Sequence, residues 1–80
     1  MQYLIMCRSL TQAQRSARLL EKSGITANVV KAPQGLISNG CSYAVSIYGS
    51  AERAKYILKM NNLLTGKIFM KSVNGEYQEV

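Results

Sequence analysis

The feature that most constrains this chain is the order in which its hydrophobic period changes: extended, helical, extended, extended, helical, extended. Gln2 to Cys7 is a continuous apolar run rich in Leu, Ile and Tyr, closed by Arg8-Ser9, and reads as a buried strand. Thr11, three residues before Gln14, gives a capping-box start for a helix from Gln12 to Ser23. Ala13, Ala17 and Leu20 share its inner face, and Gly24 stops it. Ile25 to Ala32, with Val29-Val30 at its centre and Pro33 at its end, predicts a second strand placed where a terminal proline is tolerated. Cys41 to Tyr48 alternates, with Cys41, Tyr43, Val45 and Ile47 on one side and Ser42, Ala44, Ser46 and Tyr48 on the other. Gly49-Ser50 breaks the pattern, and Ser50 caps a second helix from Ala51 to Asn61. Its inner face is Ala54, Ile57, Leu58 and Asn61, with Lys55 and Lys59 outward. Leu63 to Gly66 reads either as a frayed helical turn or as a loop over the core. Lys67 to Val73 resumes as a strand, and Asn74-Gly75 is a hairpin signal that returns the chain through Glu76 to Val80 as a short edge strand.

This order predicts a ferredoxin-like α/β sandwich, β-α-β-β-α-β, with an antiparallel sheet, two helices on one face and a C-terminal hairpin strand. On this reading the first and third strands are parallel neighbours, so Cys7, ending one, and Cys41, starting the other, lie at opposite ends of the sheet. A strand of this length spans roughly 17–20 Å, beyond disulfide reach, so no Cys7–Cys41 disulfide is expected. Leu4 and Met6 share one face of the first strand while Tyr3, Ile5 and Cys7 share the other, so both faces are apolar. A sheet covered by helices on one side would expose Leu4 and Met6 unless a terminal segment or another chain covers them, which raises a homodimer as a hypothesis.

Composition narrows the function. The 80 residues suffice for one small domain, and no apolar stretch is long enough to cross a bilayer. The first residues, Met-Gln-Tyr-Leu-Ile-Met-Cys-Arg, lack the basic start and long apolar core of a signal peptide, so a cytoplasmic protein with reduced thiols is expected. There is no His, and the two Cys lack Cys-x-x-C spacing, which argues against a metal site and against Cys-His or Ser-His catalysis. Glu21, Glu52, Glu76 and Glu79 are the only acids and form no evident acid–base pair, so a carrier or binding role is favoured over a self-contained enzyme, with no cofactor. A formal charge of +6 can attract nucleic acid or an acidic protein. Arg15, Arg18 and Lys22 form a basic stripe on the first helix that reads first as a solvated outer face. Nucleic acid is the less favoured partner, because base stacking on a ferredoxin-like sheet needs aromatics on one face, whereas Tyr43 and Tyr48 fall on opposite faces.

The residues with chemistry to offer lie between the second and third strands, in Pro-Gln-Gly-Leu-Ile-Ser-Asn-Gly-Cys from Pro33 to Cys41. Pro33 fixes its own φ, and Gly35 and Gly40 open conformations closed to other residues, so the loop is shaped rather than slack. Ser38, Asn39 and Gly40 leave the Cys41 thiol without bulky neighbours on its N-terminal side and bring backbone N–H groups near it, which can favour a thiolate. Lys31 is the nearest basic residue in sequence, and also reads as an ordinary strand-end lysine. A strand regular from its first residue aims Cys41 into the core, where cysteine often packs as a small hydrophobe; a strand that begins at Ser42 leaves it free to turn outward. Cys7, inside an apolar strand, reads as structural.

The succession of a strand, a helix opening with Thr and closing near Gly-Ile, a strand ending in Pro, and a Ser-x-Gly-Cys loop entering an apolar strand resembles a small selenium/sulfur carrier-like family. That family also occurs as a domain fused to sulfur carriers of the sulfurtransferase type. The resemblance runs from Tyr3 to about Phe69 and is most specific at Pro33 and Ser38-Asn39-Gly40-Cys41. Two departures stand out: Ser42 follows the cysteine where the family usually has glycine, and the loop is longer by a residue. The resemblance implies that Cys41 accepts sulfur or selenium as a persulfide or selenopersulfide and surrenders it to a partner. Donor and acceptor would be proteins such as a cysteine desulfurase or a sulfurtransferase-type carrier. The alternative is a basic nucleic-acid-binding, oligomerising or regulatory module in which Cys41 is structural.

Overall fold

The computed structural model describes residues 2–33, 42–64 and 66–80. The elements are β1 (Gln2–Cys7), α1 (Leu10–Lys22), β2 (Ala27–Lys31), β3 (Tyr43–Tyr48), α2 (Ala51–Met60), β4 (Ile68–Lys71) and β5 (Tyr77–Glu79). They form one five-stranded sheet in the order β2-β3-β1-β4-β5, with every neighbouring pair antiparallel. The ferredoxin-like expectation holds, and one part of it is corrected. β1 and β3 are antiparallel, with Cys7 opposite Tyr43 and Gln2 opposite Tyr48. A helix that returns the chain over the sheet leaves room for one strand between the two it joins, and that strand runs the other way. The end of β1 and the start of β3 therefore share one end of the sheet, so strand length does not hold Cys7 apart from Cys41, which lies outside the described residues.

Both helices cover the same face. Ala13, Ala17 and Leu20 of α1 and Ala54 and Leu58 of α2 close on Ile5, Cys7, Val45, Ile47 and Ile68. The alternation in β3 is as the sequence implies, with Val45 and Ile47 on the helix side and Ala44 and Ser46 opposite. On that second face Leu4 and Met6 are each only 3% exposed within the single chain, packed with Ala32, Ala44, Phe69 and Tyr77. They need no partner chain to leave water, which removes the motive for the homodimer. Burying such side chains contributes roughly 1.5–3 kcal/mol each.

The helix ends explain the boundaries. Ser9, rather than Thr11, caps α1: its hydroxyl accepts from the Gln12 N–H at 3.1 Å, and Gln12 Oε1 accepts from the Arg8 N–H at 3.1 Å. The expected cap lies two residues too late in sequence. At the other end Gly24, with φ +86°, donates to the Glu21 carbonyl, and Ile25 donates to the Leu20 carbonyl at 2.9 Å. This is a Schellman ending, with Ile25 and Leu20 both in the core, and it is why β2 starts at Ala27 and not at Ile25. The second helix ends the same way. Asn62, at φ +58°, takes the left-handed position, and Leu63 donates to the Leu58 carbonyl at 2.8 Å. Asn61, expected on the inner face, is exposed and caps the helix, its side-chain amide donating to the Ile57 carbonyl at 2.8 Å.

Leu63 and Leu64 then pack on the core as a covering segment beyond the end of α2, and Thr65 lies outside the described residues. The final hairpin uses Gly75, at φ +87°, in a tight turn where Gly75 donates to the Ser72 carbonyl and Ser72 to the Glu76 carbonyl.

Candidate functional site

The site is built from one end of the sheet. Cys7 lies opposite Tyr43, and Tyr43 opposite Lys31, so these three residues form one row across β1, β3 and β2. Beyond that row the Ala32 N–H donates to the Ser42 carbonyl at 3.0 Å. The chain thus leaves β2 through half-buried Pro33 and re-enters β3 through exposed Ser42, with the two ends of that excursion tied together. Gly35, Ser38, Asn39, Gly40 and Cys41, the remaining residues singled out from sequence, lie outside the described residues.

Three basic residues gather at this end. Lys31 ends β2 and is exposed. Arg8 follows Cys7 directly and is exposed. Lys67 precedes β4, whose first residue Ile68 pairs with Ile5, and the Met6 N–H donates to the Lys67 carbonyl at 2.9 Å. The Lys67 ammonium lies 3.5 Å from the Glu79 carboxylate, but both side chains are more than half exposed, so the pair is weak and screened. The N-terminus of α1 opens here as well, immediately after Arg8, and its first turn contains no acidic residue. At this positive helix end the Ser9 hydroxyl accepts from the Gln12 N–H, and among the described residues no carboxylate stands in the first turn.

Of the basic groups at this end, the sequence reading names Lys31; Arg8, Lys67 and the helix N-terminus are placed here by the fold. The signal that would have found Arg8 is the antiparallel relation of β1 and β3, because it brings the end of β1 to the start of β3. Nothing local marks Lys67. The approach of its loop to β1 requires Gly66, where a Cβ would collide with the Met6 backbone carbonyl.

Cys7 is fully buried on the helix side, and its thiol donates to the Ile5 carbonyl at 3.5 Å. This is a core position, in keeping with the structural role read from sequence. On the face away from the helices the aromatics Tyr48, Phe69 and Tyr77 stand around a buried aliphatic centre. Tyr43 packs against the helix-side core, Tyr48 is 53% exposed on the other side, and Leu4, Met6, Ala44 and Ser46 occupy the centre of the second face in buried positions. Among the described residues no group of three His, Cys, Asp or Glu side chains could hold a metal ion, and no helix is long and apolar enough to cross a membrane.

Among curated proteins and among solved structures, none matches the chain. A family model does, over residues 2–70, which runs from the first residue of β1 into β4 and leaves β5 outside. The match takes in the whole unit that carries the cationic sheet end and the connection between β2 and β3, and on it the chain belongs to the family described as putative Se/S carrier protein-like.

Proposed function

We propose that the chain carries sulfur or selenium on Cys41. The Cys41 thiolate attacks the terminal sulfur of a donor persulfide. A new S–S bond forms at Cys41, the donor S–S bond breaks, and the donor leaves as a thiolate. Attack by an acceptor thiolate on the loaded sulfur reverses these roles. No external oxidant or reductant is needed in either step, because the transferred sulfur keeps its oxidation state. Selenium would travel the same way as a selenopersulfide. Membership of the carrier-like family is the observation that carries this reading. Arg8, Lys31, Lys67 and the N-terminus of α1 support it, since positive charge where residues 34–41 leave and rejoin the sheet favours a thiolate. Donor and acceptor are proteins, a cysteine desulfurase and a sulfurtransferase-type carrier among them, and a reducing cytoplasmic setting keeps the thiol available.

The test is the alkylation rate of each cysteine against pH, resolved by peptide mass on the native protein. Cys41 is expected to react with a midpoint below the free-thiol value of about 8.5, with Cys7 protected. Exchanging both Arg8 and Lys31 for Ala is expected to raise that midpoint, because removing nearby positive charge destabilises the thiolate. Reaction of Cys41 only upon unfolding would make it a core residue and end the carrier reading. The nucleic-acid alternative predicts a salt-sensitive, sequence-independent affinity.

A further inference from the structure

Six of the ten Lys and Arg residues lie on the two helices, against two Glu: Arg15, Arg18, Lys22 and Glu21 on α1, and Arg53, Lys55, Lys59 and Glu52 on α2. All eight are exposed. Two large apolar side chains stand among them, Tyr56 at 65% and Met60 at 67% exposure, one turn apart on α2. A helix buries its apolar positions where it has something to pack against, and these two have been left in water.

Their place on the helix is specific. Arg53, Tyr56 and Met60 are spaced i, i+3, i+7 and so form one stripe. The guanidinium of Arg53 donates to the Ser23 carbonyl at 3.1 Å, at the end of α1, so this stripe runs along the side of α2 that adjoins α1. Each helix follows one of two antiparallel strands, so the helices are antiparallel too, and Met60 lies toward the sheet end where α1 begins. Arg15, Arg18 and Lys22 flank the stripe from α1, and Lys55 and Lys59 flank it from the far side of α2. An apolar centre with a charged rim is the anatomy of a protein interface.

We propose that the outer surface of the helical layer is a docking site for a protein partner whose surface is acidic around an apolar pocket, with Tyr56 and Met60 as the anchors. The inference rests on the carrier reading only in taking this partner to be a donor or acceptor of the cargo; the stripe leads toward the sheet end where residues 34–41 leave and rejoin the sheet. A protein is favoured over nucleic acid because phosphates would use the cations but give an exposed methionine nothing to enter.

The experiment titrates the full chain, with amide resonances assigned, with an acidic amphipathic peptide of Glu, Leu and Phe, and separately with a single-stranded oligonucleotide of equal charge. The peptide is expected to shift amides of the exposed faces of α1 and α2. The double variant Tyr56→Ala/Met60→Ala is expected to weaken it about tenfold, since anchors of this kind each contribute on the order of 1 kcal/mol or more. Lys55→Glu/Lys59→Glu is expected to weaken it and flatten its salt dependence. All four side chains are exposed, so the variants retain the fold. Three outcomes would overturn the proposal: peptide shifts confined to other surfaces, oligonucleotide binding at this face that is indifferent to the Tyr56/Met60 pair, or concentration-dependent shifts there without ligand, which would mark a contact between two copies. Cys41→Ser abolishes cargo loading and is expected to leave peptide binding intact, so failure of the docking surface and failure of the carrier chemistry register separately.

Discussion

Replacing Ser16 with alanine is expected to stabilise the protein. Ser16 is completely buried in α1, and its hydroxyl is the buried side-chain polar atom without a hydrogen-bond partner among the described residues. An unsatisfied buried hydroxyl costs about 1–3 kcal/mol, and alanine is also the better helix former. A gain of about 1 kcal/mol in urea unfolding at unchanged m-value is the expected result; a loss would mean that the hydroxyl has a role in the native state. The opposite sign applies at Gly66. Gly66→Ala drives a Cβ into the Met6 carbonyl and forces the loop away from β1, with an expected cost of about 1–3 kcal/mol in the same assay. Gly24 makes a useful contrast, for a Cβ there meets open space and only the positive φ resists substitution, at about 1–2 kcal/mol. Of these features the Gly24 helix stop was legible in the chain, and the demands at Ser16 and Gly66 were not. Glycine at 24 announces a helix stop because the conformational demand is local, whereas glycine at 66 answers to a strand sixty residues earlier in sequence.

The two helices show how far local pattern reaches. Their inner faces follow from the spacing of Ala13, Ala17 and Leu20 and of Ala54 and Leu58, because burial is imposed by the sheet beneath. The start of α1 does not follow so easily, since Ser9 and Thr11 both satisfy a capping motif and only the strand ending at Cys7 decides where the chain turns. Ser9→Ala is expected to cost about 1 kcal/mol in thermal unfolding, while Thr11→Ala, exposed within the first turn, costs almost nothing. The reverse ranking would restore the sequence-based cap. Asn62 holds the left-handed position that Gly24 holds in α1, so Asn62→Gly is expected to gain a few tenths of a kcal/mol. The faces of β1 and β3 were legible, as a period of two leaves little choice once one side is buried. Strand direction was not, and it is direction that brought Arg8 and the N-terminus of α1 to the end of the sheet where Lys31 lies.

For the molecule as a whole, the family match ends within β4, and β5 is an edge addition held by β4, by the Val80 N–H on the Ile68 carbonyl at 2.9 Å, and by Tyr77 against the Leu4–Met6 cluster. A chain shortened after Lys71 is expected to keep its helical circular dichroism while its melting temperature falls by several degrees, since β1 to β4 retain the main core. Loss of the helical signal would make β5 part of the folding unit itself. The bond between Ala32 and Ser42 has a consequence on another timescale. It closes a ring of chain at the sheet end, and the entropy of closing such a ring grows only with the logarithm of its length, about 0.6 kcal/mol for each doubling. By that term alone, a change in the number of residues between these two anchors costs the sheet little. Chain length between the two anchors is thus a quantity that selection can vary separately from the scaffold, so descendants of one fold can diverge by insertion within a single hairpin.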